Sequence, residues 1–306
     1  MRHCTVIYNP VATSFDNELL LAVLNRLKDS DYVCTVVKSN RAGAVVPLVR
    51  EYNEKCDLIL TLGGDGTVSE ALQGFFGLKQ HACYAHLSVG TTNDVGRNLG
   101  LLPSDPLASL ELLMDGSEGG VDYLTVNGNP VFYVSCFGFA ADIPYKTPSF
   151  LKRRLGHAAY LTCFLGSGWR KLPRRRALRI IADGVPKETE SVLTIVSNSH
   201  VFGGVHIYGD TMAIDDGKFE LAILERVNPS LAARIIKDYT RNDVDLGRYD
   251  DAVCYIQASE LVLEFDNTDW DVDLDNDGEC LKLPRSEKLR LEYKVGGQLK
   301  MLLPRK

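Results

Sequence analysis

The chain has 306 residues, 45% of them apolar and 24% charged, which is ordinary for a globular protein and long enough for two domains with separate cores. The net charge of −6 gives no electrostatic argument for a nucleic-acid partner, so none is expected. No apolar run approaches the ~18 residues of a membrane span, and Met1-Arg2-His3-Cys4 leads into a strand pattern rather than an apolar leader, so no signal peptide is expected. The eight cysteines are scattered without CxxC pairing and read as thiols of a reducing, cytoplasmic compartment rather than as disulfides or a zinc site.

In chain order, His3 to Tyr8 reads as a first strand, ended by Asn9-Pro10. Asp16 to Ser30 carries Leu19, Leu20, Val23, Leu24 and Leu27 at helical spacing, with Asp16 as N-cap. Tyr32 to Val37 is a second strand and Ala42 to Cys56 a second helix. Asp57 to Leu62 is a short apolar run, read as a buried strand that enters Gly63-Gly64-Asp65-Gly66-Thr67, with Glu70 in the first turns of the helix beyond. Glycines let backbone N–H groups approach a ligand, and a helix N-terminus adds unpaired donors and the positive end of its dipole. Strand, glycine turn and helix together suit phosphate. A carboxylate in that loop would repel phosphate unless Asp65 holds Mg²⁺ that in turn holds the phosphates. Cys83 to Val89 is a fourth strand, ending in Gly90-Thr91-Thr92-Asn93-Asp94, and Leu107 to Met114 a further helix. Alternating strands and helices imply βαβ units and a parallel sheet, with ligands at the carboxyl ends of its strands.

The pattern changes near Gly119. Short segments rich in Val, Ile, Tyr and Phe follow, at Tyr123–Val126, Val131–Cys136, Leu178–Ala182, Ser191–Ser197, Phe219–Leu224, Leu261–Phe265 and Leu289–Tyr293, separated by Asn-Gly, Asp-Gly and Gly-Gly turns. This is the mark of an antiparallel region. The domain boundary is expected near residues 115–122. Helical stretches are expected over Phe150 to Lys171 and Ser230 to Tyr239. The stretch from Lys152 to Arg176 has basic ends and an apolar, aromatic middle. It reads either as a segment attracted to anionic lipid or, as is more usual for charge runs, as a packed helix with solvated basic ends. Asp271, Asp273, Asp275 and Asp277 before Gly278 mimic a calcium loop, but counted from Asp273 the twelfth residue is Pro284 rather than Glu. His157, His200 and His206 have no partner spacing and are read as surface or packing residues.

Three motifs taken together, Gly63-Gly64-Asp65-Gly66-Thr67 with Glu70, Gly90-Thr91-Thr92-Asn93-Asp94 with Arg97, and Asp277-Gly278-Glu279, resemble the diacylglycerol kinase catalytic-domain family, in particular its soluble bacterial lipid kinases. The first motif is shared with NAD kinases, whereas the second and third separate the lipid kinases from them. The resemblance implies an α/β nucleotide-binding domain with a parallel sheet like that of phosphofructokinases and NAD kinases over residues 1–120. A mainly antiparallel β-sandwich for the lipid substrate would follow over 121–288, and the strands of about 289–306 would return to the first domain. It implies ATP and Mg²⁺ as cofactors and transfer of the γ-phosphoryl group to a lipid hydroxyl, with diacylglycerol or a related lipid as acceptor. A peripheral, transient contact with the membrane surface would follow. Homodimers are common among such relatives, so a homodimer is compatible.

Carried over residue by residue, the resemblance gives Asn9, Pro10, Thr13, Ser39, Gly63, Gly64, Asp65, Gly66, Thr67, Glu70, Thr91, Asn93, Asp94 and Glu279 to the nucleotide. Asp65 would face the Mg²⁺-bound phosphates, and Asn93 and Asp94 would order the second loop. Asp277 would be the general base that orients the lipid hydroxyl and accepts its proton. The bland reading of Asp277-Gly278 is a hairpin turn, which is compatible with that role. Asp216, with the carbonyls of Ala213 and Lys218, would hold a structural Mg²⁺. The loop after Asn9-Pro10 reads Val11-Ala12-Thr13-Ser14, without the family's glycine, so that Thr13 or Ser14 hydroxyls would replace backbone contacts. The competing readings are a kinase of a soluble acceptor such as NAD and a non-catalytic nucleotide-binding protein of the same fold. Retention of Asp65, Asp94, Asp277 and Glu279 argues against the second.

Overall fold

The computed structural model describes residues 1–138, 175–202, 205–206, 213–241, 244–249, 251–266 and 272–305. The helical stretch expected over 150–171, the basic segment before Arg175, His157 and Asp271 lie outside them. The chain divides into two compact units, Met1–Val121 with Gln298–Lys306, and Asp122–Gly297.

In the first unit, strands β1 (Arg2–Tyr8), β2 (Tyr32–Lys38), β3 (Leu58–Gly63) and β4 (Cys83–Ser88) alternate with helices α1 (Asn17–Asp29), α2 (Val45–Tyr52) and α3 (Asp65–Phe75), and α4 (Asp94–Asn98) and α5 (Pro106–Met114) follow. The strands lie in the order β2-β1-β3-β4 and all pair in parallel. Every residue of β3 is buried, as a strand covered on both faces requires. Asp16 caps α1 by accepting from the Leu19 N–H at 2.7 Å, as its position predicted. α2 is shorter than the Ala42–Cys56 expected, because the chain before it turns at Gly43 (φ +77°) and begins the helix only at Val45. The order places β2 and β3 on opposite sides of β1, so the chain switches direction there, and the carboxyl ends of β1 and β3 open onto the switch point.

In the second unit, a six-stranded antiparallel sheet has the order β14 (Val253–Ala258), β13 (Phe219–Leu224), β10 (Leu193–Ser197), β7 (Val134–Gly138), β16 (Val272–Asn276), β17 (Glu279–Leu283). Opposite it, β15 (Glu260–Phe265) pairs with β8 (Arg176–Ala182), which pairs with β9 (Val185–Ser191). Strand β18 (Leu289–Leu303) pairs with β15 over Leu289–Lys294, β5 (Ser117–Val126) pairs with β6 (Asn129–Val131), and β11 (Val201–Phe202) with β12 (Val205–His206). Leu178, Leu221, Leu263, Phe265, Phe137 and Tyr293 fill the core between the sheets, and Phe137 and Phe265 stack at 4.9 Å. Helix α6 (Pro229–Thr240) matches the one expected over Ser230 to Tyr239, one residue longer at each end. The end of β18 runs on into the first unit, where Met301 registers with Tyr84 of β4 in parallel. The return thus comes at Gln298, not at Leu289, because the first residues of β18 are held by β15.

Candidate active site

Three loops at the carboxyl ends of β1, β3 and β4 are bonded to one another. The Asn9 N–H donates to the Leu62 carbonyl, and the Ser14 N–H to Val89, each at 2.9 Å. The Asn9 carboxamide closes its own turn by accepting from the Val11 N–H at 3.1 Å, and Pro10 follows within that turn. The Thr13 and Thr91 hydroxyls lie 2.9 Å apart. Ser39, at the end of β2, is buried and its N–H donates to Tyr8.

The glycines answer to close approaches. A Cβ on Gly63 would stand 2.1 Å from the Thr67 hydroxyl, and one on Gly90 only 2.6 Å from the Gly64 Cα, so the two glycine loops touch backbone to backbone. Gly64 is the N-cap of α3, and the Thr67 N–H returns to its carbonyl at 2.9 Å. At Gly66 nothing lies within 4 Å of where a Cβ would be, so this turn offers open backbone.

Asp65 departs from expectation. Its carboxylate turns into the second loop, where Oδ1 accepts from the Val95 N–H at 2.9 Å and Oδ2 from the Thr92 hydroxyl at 3.0 Å. It is 9% exposed, and burial pushes its carboxyl above the usual range against those donors, which pull it down. The repulsion expected between Asp65 and a phosphate is relieved by these partners within the protein. Asp65 is therefore a tie between the two loops. Thr92, which lies inside a motif but was not singled out from sequence, is its partner. Asn93 sits in the left-handed region (φ +56°) and closes the loop on Gly90, accepting from its N–H at 2.8 Å and donating to its carbonyl at 3.1 Å. Asp94 is buried at the start of α4. Glu70 reaches away from the glycine loop and accepts from the Gly43 and Val45 N–H groups at 2.7 and 3.0 Å, so it caps α2 and fixes the chain after Ser39. Below the loops, the buried His86 Nδ1 and the Tyr84 hydroxyl both meet the Thr61 hydroxyl, and burial lowers the histidine to about 3, so it stays neutral.

In the second unit, Asp277 (φ +52°) is only 3% exposed. Its Oδ2 accepts from the Phe132 N–H at 2.6 Å, and its Oδ1 from Tyr133 at 2.9 Å and Val134 at 3.1 Å. The hairpin reading is correct, and the carboxylate is a clip on three successive backbone donors. The clip also explains why the strand expected over Val131–Cys136 is broken, into β6 (Asn129–Val131) and β7. Glu279 is exposed on β17.

The turn over residues 213–218 carries the Asp216 carboxylate, which accepts from the Lys218 N–H at 3.1 Å and from Gln257 at 3.4 Å. Ala213 and Lys218 flank it, and Asp122, missed from sequence, accepts from the Gly217 N–H at 2.6 Å. No group of three or more His, Cys, Asp or Glu side chains among the described residues could hold a metal ion, so an ion here would rest on one carboxylate, carbonyls and water. Beside it Glu220 is 1% exposed, and its Oε2 has no hydrogen-bond partner among the described residues. Burial, with the Asp216 charge adding to it, pushes its carboxyl up to about 7.

The α/β unit, with its two glycine loops in contact at the carboxyl ends of β3 and β4, is a parallel-sheet architecture with an anion-suited turn at a helix N-terminus. The model of the diacylglycerol kinase catalytic domain matches residues 3–126. A diacylglycerol kinase of Staphylococcus haemolyticus is 30% identical over 233 residues, covering 74% of this chain and 69% of the relative. That of Bacillus subtilis is 29% identical over 232 residues, 74% of this chain and 75% of the relative. The crystal structure of a putative diacylglycerol kinase from Bacillus anthracis superposes with a TM-score of 0.76 at 22% identity, covering 99% of this chain and 95% of that one, and so shares the fold. The chain belongs to the diacylglycerol kinase catalytic-domain family, and is a kinase with an alcohol group as acceptor.

Proposed function

We propose that this protein is an ATP- and Mg²⁺-dependent lipid kinase that phosphorylates the hydroxyl of diacylglycerol or a closely related lipid. The observation that carries the reading is the contact of the Gly64 and Gly90 backbones at the carboxyl ends of β3 and β4, in a chain of this family. The donor set suits a polyphosphate: the first turn of an 11-residue helix, open backbone at Gly66, and the Thr13 and Thr91 hydroxyls. Phosphoryl transfer asks the protein mainly for positioning and charge neutralisation, and Mg²⁺ bound with the nucleotide would supply part of the latter. Asp65, Asn93 and Glu70 act as positioning residues that fix the two glycine loops and the chain after Ser39. Asp277 orients the Phe132–Val134 segment, and its three backbone bonds occupy three of the roughly four acceptor sites of its carboxylate. The first unit takes the nucleotide and the second the lipid, and the resemblance assigns Glu279 to the nucleotide. Asp216 with the Ala213 and Lys218 carbonyls would hold a structural Mg²⁺, for which all-oxygen ligation is suitable.

Among the described residues no helix is long and apolar enough to cross a membrane, which is compatible with the peripheral, cytoplasmic encounter with lipid proposed here. The test is transfer of label from γ-labelled ATP to a mixed lipid extract in detergent micelles with Mg²⁺, products being separated by chain and headgroup. One labelled phospholipid is expected and would name the acceptor. No labelled lipid from a protein that still binds ATP would refute the lipid reading and direct the assay to NAD.

A further inference from the structure

Strands β1 and β2 place Cys4 and Cys34 in register as parallel neighbours. Registered residues on adjacent strands stand about 4.8 Å apart, inside the ~4.4–6.8 Å window of Cα separations that a disulfide spans. The neighbouring sulfur holds Cys34 below the ordinary thiol range and, with burial, Cys4 above it. Their surroundings differ as well. Cys4 is 1% exposed inside the sheet, whereas Cys34 is only partly buried on β2, the edge strand. Thiolate character and access to solvent are what select a cysteine for oxidation, and a neighbouring thiol is what resolves it.

We propose that Cys34 and Cys4 form a dithiol–disulfide couple that responds to hydroperoxides, Cys34 being the sulfur oxidised first and Cys4 the one that resolves it. The Cys34 thiolate attacks the outer peroxide oxygen; an S–O bond forms, the O–O bond breaks, and the departing alkoxide or hydroxide takes a proton from water. Cys34 is then a sulfenic acid, and the peroxide has been reduced by two electrons. The Cys4 sulfur attacks that of Cys34; the S–S bond forms, the S–O bond breaks, and the hydroxyl leaves with the Cys4 proton as water. Side chains on parallel neighbours hold their Cβ atoms farther apart than the ~3.8 Å a relaxed disulfide prefers, so the bond is strained and easily reduced by a dithiol. Closing it ties the edge strand β2 to β1.

The test exposes the full-length protein to about one equivalent of hydrogen peroxide and maps its thiols by mass spectrometry. Trypsin places Cys4 in His3–Arg26 and Cys34 in Asp29–Lys38, peptides with no other cysteine. The expected product is these two peptides joined by a bond that dithiothreitol removes. Cys280 is the exposed cysteine among the described residues and serves as an internal standard, which Cys34 should outpace about tenfold. In Cys4→Ala, a 1,3-diketone probe should label Cys34 as its sulfenic acid, and in Cys34→Ser, Cys4 should stay reduced. Consumption of Cys280 with Cys4 and Cys34 intact, or a bridge from Cys4 to Cys56, would overturn the proposal on the wild-type protein alone, whether or not either variant folds.

Discussion

Replacing Asp277 with Asn separates a clip from a base. The carboxylate accepts from Phe132, Tyr133 and Val134, and a hydrogen bond to a charged group contributes about 1.5–3 kcal/mol. An asparagine tolerates the left-handed backbone at this position and keeps one carbonyl oxygen, enough for the Tyr133 and Val134 donors at reduced strength. Its amide NH₂ then faces the Phe132 N–H, a donor against a donor. Losing that bond with the buried N–H left unpaired costs about 2 kcal/mol, and the weakening of the other two about 1 kcal/mol more. The sum, about 3 kcal/mol, corresponds to a Tm lower by about 6–12 °C for a unit of this size. The assays are thermal denaturation, amide exchange at Phe132–Val134, and phosphoryl transfer per folded molecule. Faster exchange at those three amides together with the lower Tm is expected, with turnover reduced as well. A Tm within about 1 °C of wild type and unchanged exchange would refute the clip; loss of turnover alone, of the ~10²–10⁴-fold size of general base catalysis, would return Asp277 to that role.

The remaining predictions concern the loops and the Asp216 turn. Glu70→Gln weakens the cap on Gly43 and Val45 and should cost about 1 kcal/mol, with KM for ATP raised and kcat held in steady-state assays. Gly90→Ala drives a methyl into the Gly64 backbone; about 1–3 kcal/mol of stability and most nucleotide affinity should be lost, as read by melting and by calorimetric titration. Glu220 has a folded value of about 7 against 4.5 ordinarily. A raised carboxyl contributes stability that is fully present below the ordinary value and is lost as pH rises through about 7, so Glu220→Gln should narrow the gap in unfolding free energy between pH 5 and pH 8.5, roughly 2–3 kcal/mol in wild type. An unchanged gap would place the pH dependence elsewhere. Asp216→Ala should abolish any rise of Tm on adding Mg²⁺ after chelation; a rise equal to wild type would remove the ion from this turn.

Local periodicity and turn chemistry were enough for the first unit's strands, for the N-cap of α1 and for the change from parallel to antiparallel pairing near residue 120, because each depends on neighbours a few residues away. The three motifs also identified the family, since their residue types record a shared backbone shape. Partners were another matter. Asp65 and Asp277 looked alike in sequence, as acidic residues beside glycines, and both were assigned to chemistry. The fold gives Asp65 to Thr92 and Val95, and Asp277 to donors 143 to 145 residues away. A buried carboxylate takes whatever N–H groups the fold brings to it, because leaving either side unpaired costs more than any local preference supplies. For the same reason the break between β6 and β7, the start of α2 at Val45, the orphaned oxygen of Glu220 and the pairing of Cys4 with Cys34 could not be read from the sequence. Each is fixed by contacts across the fold, where tertiary packing decides which donor, acceptor or sulfur meets which.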